Sequence, residues 1–234
     1  MRREHAFYFH NNAGDVTFRY NEIYELGRTA VQIVARIFET VYGPAPVNTG
    51  QITFFGNLVA DTGLSVLDGC RGGQSFTVTG RNDGFIDIRH NVFAHGYDVF
   101  TDGLRDAMEE TCDAPIGMGS IVFWTTDAEN YGTSGLNIID KNYAFYHPDA
   151  GVRPAFSISA SEGSLIARNT IQMGLLFPPQ HAIELGKSGG SPSYPAPEQY
   201  CVRDNTLING DFEILGNDAQ QPAFDGPLGA QACQ

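Results

Sequence analysis

The chain has 234 residues and 25.5 kDa, enough to bury a real core, and its 42% hydrophobic against 18% charged residues, with 27 glycines and 12 prolines, make it globular and turn-rich. Those numbers exclude a knottin, an isolated zinc module and a helical bundle. The 14 Lys and Arg against 27 Asp and Glu leave a formal charge of −13. That field repels phosphate backbones, so nucleic acid is not an expected partner, and it disfavours polyanionic substrates unless a metal ion or a local group of Arg and Lys reverses its sign.

The chain opens Met1-Arg2-Arg3-Glu4-His5 and runs into Ala6-Phe7-Tyr8-Phe9 without the apolar core of a signal peptide. No stretch reaches the ~18 apolar residues of a membrane helix, so no membrane insertion is expected. From there two strand families alternate. The first carries asparagine: Val16-x-Phe18-x-x-Asn21-x-Ile23, then Ile52-x-Phe54-x-x-Asn57-x-Val59 and Ile86-x-Ile88-x-x-Asn91-x-Phe93. Shorter copies follow at Ile139-x-x-Asn142-x-Ala144, Ile166-x-x-Asn169-x-Ile171 and Val202-x-x-Asn205-x-Leu207. The asparagines stand 36, 34, 51, 27 and 36 residues apart, which fits short fixed strands with loops of variable length. The longest gap holds either an extra turn or an insertion around Leu104 to Met118.

The second family has period-two alternation: Phe7-Tyr8-Phe9, Val31-Gln32-Ile33, Leu64-Ser65-Val66, Ile121-Val122-Phe123, Phe156-Ser157-Ile158, Ile183-Glu184-Leu185 and Phe212-Glu213-Ile214. The first and third residues of each are expected to point inward. Two or three short strands per turn, over six or so turns, make a solenoid in which each turn buries its apolar face against its neighbours. The asparagines then stack at one corner, where Asn tolerates the left-handed conformation and its amide bonds the turn above. Cys70, Cys112, Cys201 and Cys233 lack metal-ligand spacing, which leaves one or two disulfides or four free thiols.

These turns resemble the right-handed parallel β-helix proteins of the pectate-lyase-like superfamily, over about Ala6 to Leu215. The resemblance implies an all-β, single-stranded right-handed parallel β-helix of about six to seven coils over residues 1–216, with 217–234 as a C-terminal flap or tail. That superfamily includes polysaccharide lyases, glycoside hydrolases, sugar epimerases, phage tailspikes and adhesins, so the repeat specifies architecture and not reaction.

Registering the second family puts Tyr8, Gln32, Ser65, Val122, Ser157, Glu184 and Glu213 in one outward column. His10, Val34, Leu67, Trp124, Ser159, Gly186 and Leu215 form the next, and the following turns carry Arg36, Asp68 with Arg71, Asp127, Glu162 and Lys187. Asp68, Asp127 and Glu162, crowded on successive coils, suit general acid–base cleavage of a glycoside, and they are also oxygen ligands of the kind Ca²⁺ takes. Lys187 suits removal of the proton α to a carboxylate in a lyase, although a salt bridge from Lys187 to Glu162 explains it as well. Trp124 offers a stacking face for sugar, with Tyr8, His10, Arg36, Arg71 and Glu184 as further binding groups. For all of these the competing role is a solvated turn residue or a strand-end cap. Arg19, Arg89 and Arg203 recur two residues before their asparagines, as a ladder on another face. His90 and His95 lie close in sequence without a reason to converge on a metal.

The expectation is therefore a carbohydrate-active protein that binds and cleaves an extracellular polysaccharide by hydrolysis or β-elimination. It would work outside the cell or at a cell or virion surface. The rival is a non-catalytic adhesin, tailspike or structural module. A homo-oligomer or an upstream capping domain would cover the sheet edge left open at the first turn.

Overall fold

The computed structural model describes residues 5–10, 14–26, 29–35, 50–62, 74–80, 84–95, 119–124, 137–148, 154–158, 164–175, 181–186 and 201–215. Nineteen strands and no helix occur among them. Every pairing between them is parallel, and the strands belong to three sheets. Sheet A has seven strands: β1 (Phe7–His10), β4 (Val31–Ala35), β7 (Gln74–Gly80), β10 (Gly119–Trp124), β13 (Phe156–Ile158), β16 (His181–Gly186) and β19 (Asp211–Leu215). Sheet B has six: β2 (Val16–Arg19), β5 (Ile52–Phe55), β8 (Ile86–Arg89), β11 (Asn137–Asp140), β14 (Leu165–Ala167) and β17 (Cys201–Arg203). Sheet C has β3 (Glu22–Leu26), β6 (Leu58–Thr62), β9 (Val92–His95), β12 (Tyr143–Tyr146), β15 (Thr170–Gln172) and β18 (Thr206–Ile208). Each coil runs A to B to C and then pairs with the coil before it, so the chain is a parallel β-helix of six coils with β19 opening a seventh.

The alternation in the sequence explains what is buried. Val31 and Ile33, Phe76 and Val78, Ile121 and Phe123, Phe156 and Ile158, and Ile183 and Leu185 project from sheet A into the core. Ile52, Phe54, Ile86, Ile88, Ile139 and Ile166 fill it from sheet B. Phe54 lies near the middle of the upper coils, with its ring 5.9 Å from Phe18, 5.1 Å from Phe76 and 6.4 Å from Phe93. Each such side chain, removed from water, contributes about 1.5–3 kcal/mol. No coil can bury its own inward residues alone, so the stack is the unit of stability.

The asparagines form a continuous ladder. Oδ1 of Asn57 accepts from the backbone N–H of Asn21 at 3.0 Å and from its Nδ2 at 2.8 Å. The same pair of bonds links Asn57 to Asn91, Asn91 to Asn142, Asn142 to Asn169 and Asn169 to Asn205. Each Nδ2 from Asn57 onward also donates to a carbonyl of the preceding coil, as Asn142 does to Ile88 at 2.9 Å. Because Asn91 bonds Asn142 directly, the 51-residue gap contains no additional coil.

Two sequence expectations are corrected here. At the B–C corner the left-handed residues are the ones immediately before the asparagines: Tyr20, Gly56, His90, Lys141, Arg168 and Asp204, with φ of 57°, 66°, 57°, 55°, 54° and 57°. The asparagine amide is used for bonding between coils, and its predecessor turns the chain. The third strand of sheet A is β7 and not Leu64-Ser65-Val66: Gln32 pairs with Thr77, and Thr77 with Val122. Residues 64–66 lie outside the described residues.

The three corners differ in length. Sheet B is joined to sheet C by two residues in every coil, whereas the links from C to A and from A to B range from short turns to long segments. Cys201, on the last strand of sheet B, is buried and disulfide-bonded, which excludes four free thiols. The segment 217–234 lies outside the described residues.

Candidate functional site

Sheet A carries the expected outward column with one substitution. Tyr8 pairs with Gln32, Gln32 with Thr77, Thr77 with Val122, Val122 with Ser157, Ser157 with Glu184, and Glu184 with Glu213. Thr77 thus stands where Ser65 was expected. The next column pairs His10 with Val34, Val34 with Thr79, and Thr79 with Trp124, so Thr79 replaces Leu67.

The exposure of this face is uneven. Tyr8 is 49% exposed at one end. Gln32, Ser157 and Glu184 are half-buried, while Val34 and Thr77 are buried even though their positions alternate with core residues. Ser157 donates its hydroxyl to Glu184 Oε1 at 2.8 Å across neighbouring coils, which fixes the carboxylate against the sheet. A carboxylate held this way orients a sugar hydroxyl well and accepts hydrogen bonds in fixed directions.

His10 and Trp124 lie on sheet A at the register positions expected, at the ends of β1 and β10. Arg36, Asp68, Arg71, Asp127, Glu162 and Lys187 lie outside the described residues. Chain order separates them. Arg36, Asp127, Glu162 and Lys187 follow β4, β10, β13 and β16, whereas Asp68 and Arg71 precede β7. The premise that all of them follow equivalent strands holds for the first four only.

The two histidines of the His90 to Asp98 stretch stand at opposite ends of β9. His90 is exposed at the B–C corner, its ring 5.2 Å from that of Phe55. His95 is fully buried, and among the described residues no three His, Cys, Asp or Glu converge on a metal position. The His95 ring lies inside the C–A corner, where Nε2 meets Ser75 Oγ at 2.8 Å. Its Nδ1 has no hydrogen-bond partner among the described residues, and burial lowers its pKa to about 3. One coil on, Tyr146 Oη meets Ser120 Oγ at 2.8 Å, and its ring packs 5.3 Å from His95. Burial raises the Tyr146 phenol above its ordinary range. Serines thus replace alanines in a column that elsewhere reads Ala30, Ala155 and Ala182, on the two coils that bring a polar ring to the corner. A Ser–His pair with no access to solvent closes the coil and does not attack a substrate.

The B–C corner holds a feature that sequence reading caught only in part. The last residues of sheet B form the register column Arg19, Phe55, Arg89, Asp140, Ala167 and Arg203. Beside it run the left-handed Tyr20, Gly56, His90, Lys141, Arg168 and Asp204. From Tyr20 to Arg168 their backbone N–H groups tie them to the next coil, as Tyr20 does to Phe55 O at 3.2 Å and Lys141 to Ala167 O at 3.1 Å. Arg168 donates Nε and Nη2 to Asp140 at 2.8 and 2.7 Å, and Arg89 pairs with Asp87 in the same forked manner. The bond to Asp87 raises the Arg89 pKa. Tyr20 is 75% exposed, with its ring edge-on to Phe55 at 5.8 Å. The arginines two residues before the asparagines signalled the first column. The cations immediately before the asparagines became a column only once the left-handed corner was located.

No protein-family profile, no curated protein and no solved structure matches this chain. No helix among the described residues is long and apolar enough to cross a membrane.

Proposed function

We propose that the protein is a carbohydrate-active parallel β-helix protein, related in kind to the pectate-lyase-like superfamily, that binds and cleaves an extracellular polysaccharide along the outer face of sheet A. The observation that carries this reading is the register column Tyr8, Gln32, Thr77, Val122, Ser157 and Glu184, in which Tyr8 and Gln32 at one end and Ser157 and Glu184 at the other are the polar groups not buried. Parallel strands repeat at about 4.8 Å, so the polar pairs on the first two and on the fifth and sixth coils lie along one line that a linear polymer follows. A polymer, and not a compact metabolite, is the ligand such a face suits.

In this reading Asp127 and Glu162, which follow neighbouring strands β10 and β13, act as general acid and base. Lys187 serves as the base if the bond breaks by elimination. Asp68 with Arg71, which precede β7 in the chain, would contribute to the same site, and Ca²⁺ is the cofactor this carboxylate set would accept. Tyr8, His10, Arg36, Trp124 and Glu184 bind the glycan.

The test is a polysaccharide panel followed by new reducing ends and by absorbance of the unsaturated uronate product. Cleavage by the wild-type chain, abolished in Asp127→Asn and Glu162→Gln with the fold intact, supports the assignment. Glycan binding with every cleavage assay flat would replace it with the rival reading, a non-catalytic adhesin or tailspike module. The burial of Val34 and Thr77, which interrupts the open face at the second and third coils, is the observation on that side.

A further inference from the structure

We propose that the B–C corner is a second binding site, separate from sheet A, for a linear polysaccharide bearing carboxylate or sulfate groups along its length. It does not depend on cleavage and goes beyond the function proposed above.

The first ground is charge. In a chain of net charge −13, Arg19, Arg89, Lys141, Arg168 and Arg203 gather on this one edge, five of the 14 Lys and Arg. Arg89 and Arg168 share their charge with Asp87 and Asp140. Arg19, Lys141 and Arg203 have no carboxylate within ion-pair distance among the described residues, so their charge is turned outward. Arg19 and Arg203 are exposed and Lys141 is half-buried. Against Asp87, Asp140 and the exposed Asp204 on the same edge, the five cations leave a surplus of about two positive charges, in a chain whose net charge would otherwise exclude polyanions.

The second ground is spacing. From the third coil to the sixth every coil carries one cation, at intervals of about 4.8 Å, and the two without a carboxylate partner among the described residues, Lys141 and Arg203, stand two coils or about 10 Å apart. An acidic polysaccharide with one anion per sugar repeats on a comparable length. Duplex nucleic acid carries a charge about every 1.7 Å and would be under-neutralised by so sparse a row.

The third ground is the aromatic end of the same edge. Tyr20, Phe55 and His90 stand on consecutive coils, and the most exposed of them, Tyr20, lies over Gly56, whose missing side chain leaves room for the ring. Such a platform stacks against the apolar face of a sugar ring. Two-residue corners bonded to the next coil hold all of these groups, so little ordering cost attends binding.

The experiment is titration of the full chain with alginate, which carries carboxylates, with chondroitin sulfate, and with neutral dextran, at two salt concentrations. At least one acidic glycan should bind, more weakly at higher salt, and dextran should not. The triple variant Arg19→Gln/Lys141→Gln/Arg203→Gln should lose about tenfold or more in affinity, and Tyr20→Ala about threefold, with unchanged circular dichroism. Should the triple variant misfold, Lys141→Gln alone should still lose about threefold. Affinity is read by titration without any cleavage assay, so failure of the cleavage reading is separable from failure of this one. Unchanged affinity in the triple variant, absence of binding to both acidic glycans, or single-stranded DNA bound as tightly as either would overturn the proposal.

Discussion

Ser75 Oγ and His95 Nε2 lie 2.8 Å apart inside the C–A corner of the third coil, both side chains fully buried, while Nδ1 of the same ring has no partner among the described residues. A proton added to that ring would be held without solvent or counter-charge, which is why the folded-state pKa falls from 6.5 to about 3.

The folded pKa is the lower one, so the unfolded chain binds the extra proton in the intervening window. Stability is complete above pH 6.5 and declines as pH falls toward 3, by up to about 1.4 kcal/mol per pH unit from this group. Replacing the ring by His95→Phe should flatten that part of the profile, read by urea denaturation at several pH values. An equally steep acid limb in the variant would contradict the assignment.

The asparagine ladder predicts a position-dependent cost. Asn142 accepts from the backbone and side chain of Asn91 and donates to Asn169 and to Ile88 O, all buried. Asn142→Ala strands the Asn91 backbone N–H and should destabilise by about 2–4 kcal/mol. Asn21, half-buried at the end of the ladder, donates without supporting a further asparagine, and Asn21→Ala should cost about 1 kcal/mol. Equal losses at the two sites, measured by chemical denaturation, would show that the ladder is not cooperative in this way.

Gly56 combines φ of 66° with a Tyr20 ring that a new Cβ would meet at 2.8 Å. Gly56→Ala should therefore cost about 1–2 kcal/mol and displace Tyr20. The double variant Gly56→Ala/Tyr20→Ala should lose only the backbone part, because the clash is gone. A double-mutant cycle separates the two contributions.

Asp140 is 3% exposed and Arg168 is not buried, so their pair is lopsided. Arg168→Met leaves a buried carboxylate unpaired and should cost about 3 kcal/mol, whereas Asp140→Asn, with Arg168 free to turn to water, should cost about 1 kcal/mol or less. Thermal denaturation of the two variants should rank them in that order.

The pattern of what could be read from sequence follows from the corners. Asn57, Asn91 and Asn142 were legible because the two-residue B–C corner locks each asparagine to the strands before and after it, so the apolar residues fall at constant offsets. The third strand of sheet A was not, because it hangs between two links of variable length. Leu64-Ser65-Val66 and Phe76-Thr77-Val78 alternate alike, and only pairing with Val31 and Ile121 selects Phe76. The groups expected to do chemistry sit mainly on those variable links. Trp124 and Glu184, which belong to strands, fall where the alternation puts them.

The unequal corners also bear on how such a chain can diverge. An insertion between Arg89 and Val92 would throw Asn91 out of phase with Asn57 and Asn142 at once, so that edge tolerates substitution but not a change of length. Additions after β10 or before β7 leave every ladder bond where it was. The molecule thus separates inheritance of its frame from experiment at its margins: new surface can accumulate on both sides of sheet A while the corner opposite keeps count of the coils.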